Sequence, residues 1–442
     1  MSIFKAYDIR GVYPGEINED AARRIGAATA RFLKTGAIVV GRDMRVSSDN
    51  LADALVAGIL ETGTNVLDIG VVSTPMVYFA IGSRDLGGGI MVTASHNPAK
   101  YNGFKISREK AIPLSSETGL ADIEKLAGIP SPPAPKPGKR ETAEILPDYA
   151  AHVLRFARDI RPLTVVIDAG NGMAGKILPP ILAKLPLKVT PLYFELDGRF
   201  PHHEANPLKP ENLEDLRGRV RAEKADLGVA FDGDGDRVAF VDEGGGIIAS
   251  DLITALIARE FLAREKGAAV LYDLRSSRVV AEEIRKGGGI PVQERVGHAF
   301  MKATLRKRNA VFGGELSGHY YFRDNYCADS GALAMMMILN ALSAAKAPLS
   351  ALIAPLRRYS ASGEINFEVA DKAAAMDALE KRFRDGTIIH LDGVTVEYPD
   401  WWFNVRASNT EPLLRLNLEA DTPEKMKKGL EAVCAVLGKP GG

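Results

Sequence analysis

Three stretches of this chain repeat one pattern about a hundred residues apart, which marks copies of a whole domain rather than a solenoid of short repeats. AIVVGRDMRVSSDNLADALVAGIL (37–60), TVVIDAGNGMAGKILPPIL (164–182) and AAVLYDLRSSRVVAEEI (268–284) each run from an apolar strand through a polar loop into a helix. An aspartate closes each strand: Asp43, Asp168 and Asp273. A second element recurs later in each unit, where GGGIMVTASHN, DLGVAFDGDGD and AVFGGELSGH open a strand into an unusual polar loop. Strands alternating with helices build α/β units. After Pro355 the pattern changes to a compact α+β module, in which LLRLNLEA alternates as a strand with one wet face. The expected fold class is therefore α/β: three similar α/β domains with mixed sheets plus a C-terminal α+β domain. The expected boundaries are 1–140, 141–244, 245–356 and 357–442. The segment IPSPPAPKPGK (129–139) reads as a stiff linker between the first two units, and Pro355–Ser360 as a hinge.

Composition narrows the partners. Lys+Arg and Asp+Glu both number 56 in 442 residues, so no global field favours nucleic acid or an anionic membrane. Cys327 and Cys434 have no paired spacing, which argues against a disulfide framework or a zinc site. MSIFKAYDIR lacks the apolar core of a secretory signal, and the longest apolar run, GALAMMMIL (331–339), is too short to span a bilayer. The expectation is a cytoplasmic protein, a monomer or weak oligomer, acting on small molecules.

Four loops carry chemistry. In TASHNP (93–98), Asn97-Pro98 suits a plain turn, but that leaves Ser95 at the carboxyl end of a strand, where open α/β sheets place their active groups. DGDGDR (232–237) sets Asp232, Asp234 and Asp236 at every second position, able to converge on one hard cation. An EF-hand fails in detail despite Glu243 at the twelfth place, because Arg237 holds the sixth, Phe240 the ninth, and a strand follows. A solvated acidic turn sits badly between two apolar strands, so Mg²⁺ beside a phosphate is favoured. RASNTEPLLR (406–415) offers guanidinium, hydroxyl and amide donors that suit a phosphate dianion, or else forms an ordinary Asn-Thr turn. GGELSGH (313–319) could present Glu315 and Ser317 to sugar hydroxyls, or be only a tight glycine turn. Lys105 in YNGFK, and His298 with Lys302 in VGHAFMK, add basic groups; a helix from Ala299 puts His298 at its amino end, although a surface histidine fits that stretch equally well.

Taken together, FKAYDIRG (4–11), TASHNP with YNGFKI, DGDGDR, GELSGH and RASNTEP resemble the α-D-phosphohexomutases along nearly the whole chain, in the family's order. The bacterial phosphomannomutase/phosphoglucomutase branch is the most similar. The resemblance implies a cleft at the centre of four domains and reversible transfer of a phosphoryl group between the 1 and 6 positions of hexose phosphates. It implies that Ser95 is a phosphoserine, that Ser95, Asp232, Asp234 and Asp236 hold Mg²⁺, and that a hexose 1,6-bisphosphate is the intermediate and activator. Arg10, His96, Lys105, Arg237 and His298 would serve catalysis, with His298 or Lys105 as general base. Glu315, Ser317 and His319 would read the sugar. Arg406, Ser408, Asn409, Thr410 and Arg415 would hold the non-reacting phosphate, with Tyr7 and Arg275 also in the substrate site. Arg275 stands where many relatives carry lysine, and Leu316 where methionine is common, so both bear on the choice of sugar. The alternatives are a phosphoglucosamine mutase, whose sugar loop usually has glutamine in place of Leu316, and a non-catalytic sugar-phosphate sensor.

Overall fold

The computed structural model describes residues 3–407 and 413–439. The threefold pattern in the sequence becomes one topology built three times. In the first sheet Asn65–Val71, Ala37–Arg42 and Gly88–Val92 lie parallel, followed by antiparallel Tyr101–Arg108 and Ile9–Val12. The second sheet repeats the order with Leu187–Leu192, Leu163–Asp168, Leu227–Phe231, Val238–Val241 and Ile247–Ile248. The third repeats it with Ile290–Glu294, Ala269–Asp273, Phe312–Gly314, Tyr320–Phe322 and Ala328–Asp329. The strand-closing aspartates act alike in all three. Asp43, Asp168 and Asp273 each accept the backbone N–H two residues on, from Arg45, Gly170 and Arg275 at 3.0, 2.8 and 2.8 Å.

One apolar core, from Val39 to Leu356, runs through all three domains, beside smaller cores within each. At its centre lies helix Gly331–Ala345, capped by Ser330, apolar on every side and accordingly buried on every side. Among the described residues no single helix is long and apolar enough to cross a membrane. The C-terminal sheet is separate and antiparallel throughout, in the order Ser360–Glu368, Leu413–Ala420, Trp401–Ala407, Val394–Glu397, Thr387–Ile389. Helices Lys372–Arg382 and Pro423–Leu437 complete a core of its own around Phe367, Phe403 and Leu416.

The proline-rich segment 129–139 lies between the first two domains but does not cross directly from one to the other. It carries the chain back to the first sheet, where Arg140–Thr142 pairs parallel with Asn65–Val71. Arg140 explains the return: its guanidinium donates to Asp68 Oδ2 at 2.5 and 3.1 Å and to Asp53 at 2.9 Å. The crossing to the second domain follows Thr142.

Candidate active site

The repeated topology puts three loops in equivalent positions, each joining the third strand of its sheet to the fourth. They are residues 93–100, 232–237 and 315–319, and they meet. Ser95 is wholly buried and adopts a left-handed backbone, φ 51°, a conformation that costs a non-glycine residue energy and recurs at functional sites. Its Oγ donates to Asp232 Oδ2 at 2.8 Å and lies 3.2 Å from His96 Nδ1. The 232–237 loop approaches so closely that a Cβ on Gly233 would stand 2.5 Å from Ser95 O. Thr74, first residue of helix Thr74–Ser83, binds Asp234 twice, through its N–H to the backbone carbonyl at 3.0 Å and its Oγ1 to Oδ2 at 2.5 Å.

Asp232, Asp234 and Asp236 are buried, with one oxygen from each within 4.8 Å of the others. Among the described residues, Oδ1 of both Asp234 and Asp236 is buried without a hydrogen-bond partner. An all-oxygen, anionic donor set with orphaned lone pairs fits a hard divalent cation. Burial and the two neighbouring aspartates push the Asp232 carboxyl well up. Burial also opposes charge on Asp236, but Lys105, His319 and Arg237 outweigh it and hold that carboxyl well below the usual range. Lys105 Nζ donates to Asp234 at 2.7 Å and Asp236 at 2.5 Å. Burial works against the ammonium, yet Asp234 and Asp236 hold its pKa well above that of a free lysine.

The sugar loop docks on the acidic loop. Arg237 and His319 form a backbone bridge, and Arg237 Nε donates to His319 Nε2 at 3.3 Å. Ser317 Oγ lies 2.9 Å from His319 Nδ1. Glu315 accepts from Gly297 N at 2.9 Å and from the Tyr321 hydroxyl. His298 opens helix His298–Arg308; burial, then Lys302, His319 and Lys105, push its imidazole well below the ordinary histidine range. His96 is likewise held neutral by burial and by Arg237, Arg10 and Lys105. Arg10 donates to Asn97 Oδ1 at 2.6 Å, and Tyr7 packs edge-on against His298 with ring centroids 5.7 Å apart.

The fourth domain faces these loops with a cationic cluster. Arg406 Nη2 and Arg415 Nη1 donate to Glu364 at 2.8 and 3.2 Å, and Arg275 Nη1 of the third domain lies 3.6 Å from the same carboxylate. Arg275 is oriented by Asp273, at 2.8 and 3.2 Å; Asp273 also accepts the Leu316 N–H at 2.8 Å, so one carboxylate aims both. Ser408, Asn409 and Thr410 lie outside the described residues.

Two groups escaped sequence reasoning. Arg45 is buried, paired with Asp43 at 3.2 Å, and donates to the carbonyls of Ser95, Asn97, Pro98 and Tyr101 at 2.6–3.0 Å. Its signal was weak: an arginine two residues past a strand-closing aspartate. Glu364 was the other, an ordinary residue in the middle of strand Ser360–Glu368.

Catalytic-type loops converge here on a buried serine, an acidic cluster and an arginine cluster, the parts of a phosphoryl-transfer enzyme. The chain belongs to the phosphoglucomutase/phosphomannomutase family, whose α/β/α domains I, II and III match residues 1–128, 147–245 and 249–359, and whose C-terminal domain matches 364–436. It is 40% identical to a phosphomannomutase of Escherichia coli over 99% of both chains, and 42% identical to a phosphohexose mutase of Xanthomonas campestris pv. campestris over 95% of both. A crystal structure of a phosphoglucomutase/phosphomannomutase family protein from Burkholderia thailandensis superposes with a TM-score of 0.92, at 34% identity, over 99% of this chain and 98% of that one.

Proposed function

We propose that this chain interconverts the 1- and 6-phosphates of a hexose, mannose or glucose, through a phosphoserine at Ser95 and a hexose 1,6-bisphosphate. The observation that carries this reading is the meeting of the Ser95 hydroxyl with Asp232 at 2.8 Å, facing an arginine cluster on another domain. One group serves as a phosphate carrier; the other grips a phosphate that does not react. The domain limits 1–140, 141–244, 245–356 and 357–442 give each of these loops a domain of its own, once Arg140–Thr142 is moved to the first domain and Ile247–Ile248 to the second, with whose sheets they pair.

Asp232, Asp234 and Asp236, with Ser95 Oγ, would hold Mg²⁺, whose charge offsets that of a phosphoryl group in transfer. In the first half-reaction the bond between phosphorus and Ser95 Oγ breaks as one forms to O6 of a hexose 1-phosphate. The proton of O6 goes to an imidazole. His298 suits that task, because burial keeps it neutral and its Nδ1 has no hydrogen-bond partner among the described residues. Lys105 does not: two carboxylates hold it as an ammonium, a donor that helps balance charge on the transferring group. The bisphosphate then turns end for end. Ser95 Oγ takes the phosphoryl group from O1, and O1 recovers a proton. Glu315 and Ser317 offer an acceptor and a hydroxyl to the sugar, while the apolar side chain of Leu316 presents no amide to an amino sugar, which supports mannose or glucose.

Ser95→Ala is expected to abolish turnover while leaving hexose-phosphate binding within a few-fold of wild type, since the arginine cluster is untouched. Intact-mass analysis should find one phosphate on the wild type and none on the variant. Near wild-type mutase activity in the variant would remove Ser95 from the mechanism. Comparing kcat/KM for mannose, glucose and glucosamine 1-phosphates decides the sugar.

A further inference from the structure

Arg406 and Arg415 are direct partners across two antiparallel strands, an arrangement that sets like charges side by side and is unfavourable by itself. Glu364, on the next strand, bridges them: Oε2 accepts from Arg406 Nη2 and Oε1 from Arg415 Nη1. We propose that Glu364 is a resident anion of the phosphate clamp, displaced when the substrate's far phosphate binds, so that clamping is an exchange of one anion for another. The proposal rests on the reading of Arg406 and Arg415 as a phosphate clamp.

Three observations support displacement over permanent bracing. The guanidinium of Arg406 offers Nε and Nη2 as a parallel fork, but the carboxylate uses Nη2 alone, and Nε is buried without a hydrogen-bond partner among the described residues. A phosphate oxygen pair can take both. Exposure then shows which side can yield: the Glu364 side chain is 31% exposed and that of Arg406 only 7%. The carboxylate has water to move into and the guanidinium has not. Finally, the strand ladder is interrupted just before Glu364. Strand pairing shifts register between Ala361 and Glu364, and Gly363 has φ 70° with open space where a Cβ would project. Displacement would also cut the ion pair between Glu364 and Arg275, one of the links between the third and fourth domains.

The test is calorimetric titration of the full-length, Mg²⁺-loaded protein with inorganic phosphate. Removing a competing, partly exposed ion pair should tighten phosphate binding about fivefold in Glu364→Gln. Glu364→Asp, too short to bridge both arginines, should fall between Gln and wild type; it carries the same expectation should the Gln variant fold poorly. Unchanged or weaker binding in either folded variant overturns the exchange and makes Glu364 a brace. Arg406→Ala keeps the two failures apart. If it binds phosphate as the wild type does, the clamp reading itself falls; if it loses binding while Glu364→Gln gains none, only the exchange falls.

Discussion

At the scale of single residues, the reactive groups depend on others that do no chemistry. Ser95 sits in a left-handed conformation at the end of a strand, and within its own loop its N–H donates to Thr93 Oγ1 at 2.9 Å. Arg45 adds a second constraint: Nη2 donates to Ser95 O and Asn97 O, Nη1 to Pro98 O and Tyr101 O, and Asp43 fixes the guanidinium while also accepting from Thr93 Oγ1 at 2.7 Å. A lysine has the charge but lacks the planar fork that addresses four acceptors at once. Arg45→Lys is therefore expected to lower kcat at least about tenfold, with KM near wild type because the clamp is distant. Stability should fall by about 1–3 kcal/mol from unpaired buried carbonyls. Steady-state kinetics and urea denaturation check both, and intact mass should show lower phosphate occupancy of Ser95. An unaltered kcat with reduced stability would make Arg45 a purely structural residue.

Among the elements, legibility followed distance along the chain. Asp232, Asp234 and Asp236 announce themselves because their chemistry is written within five consecutive residues, and the strand-loop-helix pattern because it has a period. Arg45 and Glu364 do not, since each acts on partners about fifty residues away that only folding brings near. The path of segment 129–139 was hidden for a related reason: proline content reports stiffness, whereas its route back along the first domain is set by Ala134 N–H to Glu61 O, Gly138 N–H to Leu60 O and the Arg140 pairs with Asp53 and Asp68. Proximity between loops was equally hidden. Gly233 reads as a spacer between aspartates, yet its missing side chain is what lets the acidic loop lie against Ser95 O. Gly233→Ala would force backbone against backbone and part the two loops. The expected result is a fall in kcat of more than about tenfold, as for other overpacked sites costing about 1–3 kcal/mol. Far-UV circular dichroism should stay that of the wild type, because the glycine lies in a loop and not in the core. A wild-type kcat would mean that the loops tolerate separation.

For the molecule as a whole, the division that matters is between one body and one appendage. The first three domains share a continuous core, while the fourth has its own and meets the rest through polar contacts: Arg278 to the carbonyls of Tyr398, Pro399 and Trp401, and Arg358 and Tyr359 of the hinge stretch to Glu282 and Glu283. Such an interface permits the fourth domain to move over bound substrate and, on the proposed mechanism, to shield a phosphorylated Ser95 from water. The two parts should also differ in their response to acid. His152 is buried where the three domains meet, its Nε2 3.0 Å from Asn325 Oδ1 and its ring against Phe79 and Tyr326; burial lowers its pKa. Below about pH 6.5 the unfolded chain protonates this histidine and the folded chain does not, so its contribution to stability falls as pH drops. His152→Gln should keep the hydrogen bond to Asn325 without the penalty, and on going from pH 7.5 to 5.5 it should lose up to about 1.4 kcal/mol less stability than wild type. Both tryptophans, Trp401 and Trp402, lie in the fourth domain, so their fluorescence reports that domain alone, whereas far-UV circular dichroism is dominated by the other three. In urea titrations the acid-dependent gap between variant and wild type should appear in the dichroism transition and be absent from the fluorescence transition. The same gap in both signals would mean that the four domains unfold as one unit, and a gap in neither would mean that folded His152 takes up its proton as readily as the unfolded chain.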